Sequence, residues 1–267
     1  MNQSFDGTDL RSVIDYNSLL KIKQGLKSNL GEGVTIAIID HPISSNIESN
    51  IAIQRPLGTL DPQRNFHANF IFGLIAGVRN IIGIANRVRV ISLPIFDEDG
   101  GGLPNGIENA LNFIKDSPGP MIINISDGFN SNFDSIINRF SGNKIIVASA
   151  GVNGELEKDP IRYPASLTSA ISIGSIDSQS GQLHFNKKVN LLLPDFNFVS
   201  FNDVSGYRFN SGDSFATAIV SATIALMISS GSVGFDVPSI IRALQSNAVS
   251  AADPSSHLSL NLLNAPV

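Results

Sequence analysis

The 267-residue chain contains no cysteine and no tryptophan, and it has only four histidines. The absence of cysteine excludes disulfide frameworks, cysteine-ligated zinc or iron–sulfur sites and cysteine nucleophiles. Basic residues are also few: 18 Lys and Arg stand against 23 Asp and Glu, for a formal net charge of −5. Because the sequence has no basic block either, nucleic acid and anionic membranes are poor candidates for partners.

Long hydrophobic runs are missing as well. The segment MNQSFDGTDLRSVIDYNS at the start has no basic stretch followed by an apolar one, so no secretory signal is predicted. The most apolar long run, Ala216–Ile228, is interrupted by threonine and serine and is too short to span a bilayer. The sequence therefore predicts a soluble protein of the cytoplasm.

What the chain does have is an alternation of short β-branched runs with helical patterns. The runs are nearly continuous in apolar residues, as expected of parallel strands covered on both faces. The predicted strands are Val34–Ile39, Val88–Phe96, Met121–Ser126, Lys144–Ala150 and Ala170–Ile176. The predicted helices are Phe66–Ala76, Pro104–Lys115, Ser214–Ser230 and one that starts near Pro238. This order predicts an α/β fold, a doubly wound and mostly parallel sheet with helices on both faces.

The domain organisation follows from the same patterns. Residues 1–31 are predicted to form a short helical N-terminal extension, because the apolar spacing within Ser18–Asn29 is helical and Gly31 closes it. Residues 32–267 are predicted to form one α/β domain.

Ser214 is the most informative polar residue of the sequence. It lies in FNSGDSFATAIVSATIALM, where Gly212 permits a tight turn and a helix of small residues begins at the serine. The hydroxyl and the backbone N–H would then lie at a helix N-terminus, which favours developing negative charge. A serine before a helix is also a common N-cap, so both interpretations stand at this point.

Two triad orders could use this serine. Residues 212–216 approximate the G-x-S-x-G elbow of α/β-hydrolases, which place the acid and the histidine after the serine. That order would recruit Asp236 or Asp253 and then His257. Too little chain and too few predicted strands follow the serine for that fold. The other order is that of subtilisin, with the acid first and the serine last. In this sequence it corresponds to Asp40, His67 and Ser214, each at the junction of a strand or loop with a helix.

Six segments then resemble the subtilases, the subtilisin-like serine proteases, in the right order from about Gly33 to about Asn247. VTIAIIDHPI is similar to the aspartate strand of the family, FHANFIFGLIAG to its histidine helix and SGDSFATAIVSATIALM to its nucleophile helix. MIINISDG is similar to a substrate-binding segment, KIIVASAGVNG to the oxyanion segment and IRYPASLTSAISIGSID to the Tyr-Pro-Ala run. The resemblance implies the subtilisin-like fold.

The resemblance also implies roles for individual residues. Ser214 would attack a peptide carbonyl, His67 would take its proton and Asp40 would orient the imidazole. An extended peptide would bind as an added strand between two segments. Those substrate-binding residues are Gly100, Gly101, Gly102, Ser126, Asp127 and Gly128. The glycines also fit a simple turn, and Asp127 is either a P1 determinant that favours basic or polar residues or a solvated loop carboxylate.

Some positions depart from the family pattern. His67-Ala68-Asn69-Phe70 lacks the usual glycine, threonine and second histidine, and Asp40 is followed by His41 instead of a small hydroxyl residue. Val152 stands where the family has its oxyanion asparagine, so Asn153 is predicted to supply that donor.

These departures leave two rival hypotheses. One is a pseudoprotease that binds peptides without cutting them, and the other is an unrelated esterase that uses Ser214 and His257.

Finally, Asp-x-Pro after the first strand, the Pro-Ile-Phe at 94–96 and Gly-x-Ser-Phe-Ala resemble the cytoplasmic subtilases that remove leaders from ribosomal natural-product precursors, such as the cyanobactin type. This resemblance implies a dedicated peptide or unfolded segment as the substrate. No obligatory cofactor and no metal ligand set are predicted, while calcium binding and the oligomeric state stay open.

Overall fold

The computed structural model describes residues 30–44, 47, 51–54, 66–78, 81–96, 102–103, 105–129, 131–140, 143–151, 161–177, 189–195, 198–202, 206–246, 248–250 and 258–260. The helical extension predicted for residues 1–31 lies almost wholly outside these ranges, as do Gly100, Gly101, Val152, Asn153 and His257.

Strands and helices alternate along the described chain. The strands are β1 Thr35–Asp40, β2 Ile51–Gln54, β3 Arg89–Pro94, β4 Met121–Ile125, β5 Lys144–Ser149, β6 Ala170–Asp177, β7 Leu191–Asp195, β8 Phe198–Phe201, β9 Tyr207–Asn210, β10 Ala248–Ser250 and β11 Leu258–Leu260. The helices are α1 Phe66–Ala76, α2 Gly106–Lys115, α3 Asp134–Ile137, α4 Asp213–Ser229 and α5 Val237–Ser246.

The main sheet has nine strands in the order β10-β11-β7-β6-β5-β4-β1-β3-β2. Every described pairing in it is parallel except that of β10 with β11. Strands β8 and β9 form a separate antiparallel hairpin. The predicted doubly wound, mostly parallel α/β sheet is therefore confirmed, with helices packed on both faces.

The strand order reverses direction around β1. β3 pairs with one edge of β1 and β4 pairs with the other, so the chain moves outward on both sides of this central strand. In open α/β sheets the crevice beyond the carboxyl ends of such strands is where ligands bind. Asp40 ends β1 and Ser126 follows β4, which places both residues at that crevice.

Two buried helices cover one face of the sheet. α1 is apolar all around, and every residue from Ala68 to Ala76 is buried, as expected of a helix enclosed by its neighbours. α4 is buried from Phe215 to Met227, and its many small residues let it lie close to the strands. The opposite face is covered by α2, which buries Ala110, Leu111 and Ile114 and leaves its polar side exposed.

The hairpin β8–β9 packs on α1 at Gly73. A Cβ atom at Gly73 would lie 2.1 Å from Ser200 Oγ, so only glycine permits this close approach. The Ser200 hydroxyl donates to the carbonyl oxygen of Phe70 at 2.8 Å. This contact joins the hairpin, which leads directly into the turn before Ser214, to the helix that carries His67.

Among the described residues, no helix combines the length and the apolarity that crossing a membrane requires.

Candidate active site

Asp40 is a buried carboxylate at the end of β1. It has no exposed surface, and its Oδ1 accepts hydrogen bonds from the His41 backbone N–H at 2.7 Å and from His67 Nδ1 at 2.9 Å. His41 Nδ1 lies 3.1 Å from the same oxygen. Burial acts to raise the pKa of this carboxyl. The charge of His67 and the hydrogen bonds of both histidines outweigh it and hold the pKa well below its usual range, so Asp40 is ionised.

His67 is the second residue of α1, and its side chain is 21% exposed. Its Nδ1 lies 3.0 Å from Asp40 Oδ2 as well as 2.9 Å from Oδ1. Burial acts to lower the pKa of His67, but the charge and hydrogen bond of Asp40 and the charge of Asp127 raise it to about 9. The pair therefore favours an imidazolium, which is the form a proton acceptor takes during acyl transfer.

Ser214 lies in the first turn of α4, beside His67 in the same cleft. Gly212, directly before the helix, has φ 126° and ψ 170°, a conformation that is essentially restricted to glycine. This turn exposes the serine at the helix N-terminus, where the first N–H groups have no intrahelical partner. Its hydroxyl donates to the carbonyl oxygen of Ser126 at 3.2 Å.

A buried hydrogen-bond network fixes α4 to the end of β4. Ser126 Oγ donates to the carbonyl oxygen of Ser214 at 3.1 Å and accepts from Asn124 Nδ2 at 3.1 Å. Ser221, further along α4, donates to Asn124 Oδ1 at 2.9 Å. Asp213, next to Ser214, is buried and accepts a hydrogen bond from Ser175 Oγ. The position of Ser214 is thus set by β4 and β6.

These side chains open onto one cleft with a volume of about 480 Å³. Of the predicted substrate-binding residues, Ser126, Asp127 and Gly128 line it together with His67 and Ser214. Gly102 is not among the residues that line this cleft; it forms an antiparallel bridge with Phe96. Gly100, Gly101 and the predicted oxyanion donor Asn153 lie outside the described residues.

Arg162 is a cleft residue to which sequence reasoning gave no role. It lies on the segment before β6, and its aliphatic part packs against Gly128. Its charge bears on Asp127, whose pKa is raised by burial and by the charge of Asp40, against the lowering effect of His67, His41 and Arg162. The one signal in the sequence was its position directly before the Tyr-Pro-Ala run.

His41 was noted in the sequence only as a departure from the family pattern. Its ring stacks on Phe96 with the centroids 4.2 Å apart, which holds Nδ1 toward Asp40. The carboxylate therefore faces two imidazoles. Adjacency to Asp40 in the sequence was the available signal.

Two other departures have structural explanations. Asn69 is buried in α1, where its Oδ1 accepts from the Ser44 backbone N–H at 2.8 Å and so anchors the loop after Asp40. Phe70 packs against Phe215 with the ring centroids 4.4 Å apart. Where the family has the polar residues of its histidine signature, this chain has a buried hydrogen bond from Asn69 to the loop after β1 and an apolar contact of Phe70 with α4.

The chain is similar in sequence to subtilisin-like proteases. The chain is 27% identical over 195 residues to subtilisin-like protease 1 of Pseudogymnoascus destructans, covering 69% of this chain and 47% of that protein. It is 24% identical to subtilisin DY of Bacillus licheniformis, covering 62% of this chain and 64% of that protein. The chain spans about half the length of its fungal relatives.

Solved structures share the fold. The prenylagaramide maturation protease PagA superposes with a TM-score of 0.71 at 22% identity, covering 91% of this chain and 97% of that one. A cold-adapted subtilisin-like serine proteinase superposes with a TM-score of 0.71 at 20% identity, covering 90% and 91%. A sequence model of the subtilase family matches residues 31–259, and this chain therefore belongs to the subtilase family.

Proposed function

We propose that this chain is a serine endopeptidase in which Ser214 attacks a peptide carbonyl, His67 accepts its proton and Asp40 orients the imidazole. The observation that carries the proposal is the Asp40–His67 pair, joined at 2.9 Å, which opens onto the same cleft as a serine at a helix N-terminus. The pair supplies a base held by a buried carboxylate, and the helix N-terminus supplies donors for the oxyanion.

The reaction requires one rearrangement of the serine. Ser214 Oγ donates to the Ser126 carbonyl oxygen, so it must rotate toward His67 before attack. The hydrogen bond that it gives up is worth about 1 kcal/mol net, which is small against a catalytic barrier. The proton then passes to His67, and from there to the leaving amine. Asn153 and the backbone N–H of Ser214 would stabilise the oxyanion.

The substrate in this proposal is an extended peptide that adds as a strand beside Ser126, Asp127 and Gly128. The Asp127 carboxylate faces the cleft together with Arg162, so polar or basic P1 side chains are favoured. The likeness to PagA, a prenylagaramide maturation protease, supports processing of a dedicated precursor. We place this processing in the cytoplasm. A chain without cysteine suits a reducing compartment.

The test of the peptidase is a fluorophosphonate serine probe combined with single and double variants. Ser214→Ala, His67→Ala and Asp40→Asn should each abolish nearly all peptide cleavage while the circular dichroism spectrum is retained. Because triad members act as a unit, double variants should be little worse than single ones. Losses that multiply, or a harmless Asp40→Asn, would show that the triad is assigned wrongly. A large loss in His257→Ala with none in His67→Ala would favour the esterase hypothesis instead.

The test of selectivity is a side-by-side digestion of casein and a peptide library. We expect poor casein hydrolysis and cleavage of a few peptides at a defined site. Rapid, indiscriminate casein degradation would exclude the dedicated-processing role and leave the peptidase proposal intact. Activity should also survive dialysis against EDTA, because no step uses a metal.

One observation favours a second candidate, a peptide-binding pseudoprotease. The Ser214 hydroxyl is engaged by Ser126 and not by His67. For a pseudoprotease, the fluorophosphonate probe would leave Ser214 unlabelled while the protein still bound extended peptides.

A further inference from the structure

Four metal-ligating side chains meet at the base of the cleft. They are the members of what we call the Asp40 cluster: Asp40, His41, His67 and Asp127. Each offers one donor atom, and all of these atoms lie within 4.8 Å of one another. Both imidazoles already direct Nδ1 at the same oxygen, Asp40 Oδ1, at 2.9 and 3.1 Å. Three of the four donor groups are thus already in direct contact, and a donor atom of Asp127 lies within 4.8 Å of them.

The donor types select among metals. Two imidazole nitrogens and two carboxylate oxygens form a four-ligand set of the kind that zinc takes with tetrahedral geometry, at bond lengths of about 2.0–2.2 Å. Donors around such an ion lie about 3.4 Å apart, so the Asp40 cluster needs to contract only modestly. Mg²⁺ and Ca²⁺ prefer oxygen ligands and suit this set poorly.

Access and charge also fit a cation. Asp40 is buried, whereas His41 and His67 are 19% and 21% exposed and Asp127 lines the cleft, so an ion can enter from solvent. With neutral imidazoles the two carboxylates carry two negative charges, which one Zn²⁺ balances. Arg162 is the opposing positive charge beside Asp127. The stacking of His41 on Phe96 restricts the ring that completes the set.

We propose that the Asp40 cluster binds one Zn²⁺ ion reversibly and that the bound ion inhibits the peptidase. Zinc would take the place of the Nδ1 protons directed at Asp40. An imidazolium would release that proton to solvent, whereas a neutral imidazole would carry its one proton on Nε2 instead. His67 could then neither donate its Nδ1 hydrogen bond to the Asp40 carboxylate nor accept the serine proton. The inhibitory part rests on the proposed function, whereas the binding part does not.

The binding test uses Ser214→Ala protein, which keeps all four ligands and cannot cleave itself. Calorimetric titration with Zn²⁺ at mildly alkaline pH should give one site, and Co²⁺ should give the intense visible bands of a tetrahedral centre. Adding His41→Phe retains a ring against Phe96 but removes a ligand. The double variant should bind Zn²⁺ at least about tenfold more weakly. A loss of about tenfold is already typical when a residue that merely hydrogen-bonds to a metal ligand is removed. His184→Gln removes an imidazole but none of the four ligands, and it should leave the affinity unchanged.

The activity test uses protein in which Ser214 is unchanged. For each variant, inhibition is expressed relative to its own rate without zinc. Zn²⁺ should inhibit peptide cleavage and EDTA should restore it, while Mg²⁺ and Ca²⁺ should have no effect. His41→Phe should raise the inhibitory Zn²⁺ concentration by the same factor as its dissociation constant. Absence of Zn²⁺ binding to Ser214→Ala protein, or equal affinity in His41→Phe, would overturn the site. Zinc binding by a protein without peptidase activity would leave the site standing and refute the proposed function.

Discussion

Ser126 and Ser214 each donate a hydrogen bond to the other's carbonyl oxygen, at 3.1 and 3.2 Å. One of the two bonds is structural, because Ser126 Oγ is buried and reaches the backbone at the start of α4. The other must break for catalysis, because it occupies the proposed nucleophile. The same pair of residues therefore both positions the nucleophile and restrains it.

The first prediction separates these two effects. Ser126→Ala removes the structural bond and keeps the backbone carbonyl that restrains Ser214. We expect the free energy of unfolding to fall by about 1 kcal/mol and kcat to fall by at most about tenfold, since the helix end becomes less well placed. Chemical denaturation and steady-state kinetics measure both. Ser117→Ala, at the end of α2 and far from the cleft, is the matched control and should leave kcat unchanged. A kcat for Ser126→Ala equal to that of Ser117→Ala would refute the positioning role.

The second prediction concerns pH. His67 must be neutral to accept a proton, and its pKa is raised to about 9, so kcat/KM should rise with pH toward the alkaline range. The carboxylate of Asp127 contributes to that shift by favouring the imidazolium. Asp127→Asn removes this charge, so the midpoint of the pH profile should move to lower pH.

The measurement is the full pH profile, because a change in rate alone would also follow from altered substrate binding. Asp116→Asn, at a side chain that is 79% exposed, makes the same change in net charge at a distance and should not move the midpoint. Equal midpoints in the two variants would contradict the role of Asp127.

The third prediction concerns the oxyanion donor. Asn153 is the asparagine of AGVNG, one position later than in the family pattern. Asn153→Ala should lower kcat by a factor of about 10² or more with KM little changed, because a donor aimed at the oxyanion acts in the transition state. This scale is the one established for a subtilisin from which a single oxyanion donor is removed. Val152→Ala is the neighbouring control, and a silent Asn153→Ala would favour the pseudoprotease.

The fourth prediction tests the turn before the nucleophile. Gly212 has φ 126° and ψ 170°, and no heavy atom lies within 4 Å of where a Cβ would be. The cost of Gly212→Ala is thus backbone strain and not a clash, about 1–3 kcal/mol, with a loss of activity as Ser214 moves. Gly102→Ala also has open space but no positive φ, so its melting temperature should change little. Equal melting temperatures for the two variants would contradict this account.

The sequence predicted the elements that carry the triad well, because those elements are buried and strongly patterned. The helix Phe66–Ala76 was predicted with the bounds it has, and the strand ending near Asp40 shifted by one residue at each end. Short, continuous apolar runs are typical of strands that are covered on both faces of a parallel sheet, so the fold class could be predicted from them. The short strands β2, β10 and β11 were not predicted, because three or four residues carry too little periodicity to be recognised. β7 was not predicted either, and its Pro194 is a residue type that usually argues against a strand inside a sheet.

The hairpin β8–β9 was missed although its signals were present. Phe198 and Ser200 lie on one face of β8, Tyr207 and Phe209 lie on one face of β9, and Gly206 directly precedes β9. The pairing of Asp40 with His67 was predicted from the family resemblance, whereas the contacts of His41, Asp127 and Arg162 in the site were not. His41 adjoins Asp40 in the sequence, but the proximity of Asp127 to Asp40 follows from the pairing of β1 with β4, a tertiary fact with no local signature.

The attachment of α4 at both ends has a consequence for length variation. At its start the helix is tied to Ser126, and at its end Ser229 Oγ donates to the carbonyl oxygen of Glu32, just before β1. One residue inserted between these ends would turn the first part of the helix by about 100° and displace it by about 1.5 Å. Substitutions among small residues inside α4 should therefore be tolerated far better than a single insertion or deletion, which would carry Ser214 away from His67 even in a folded protein.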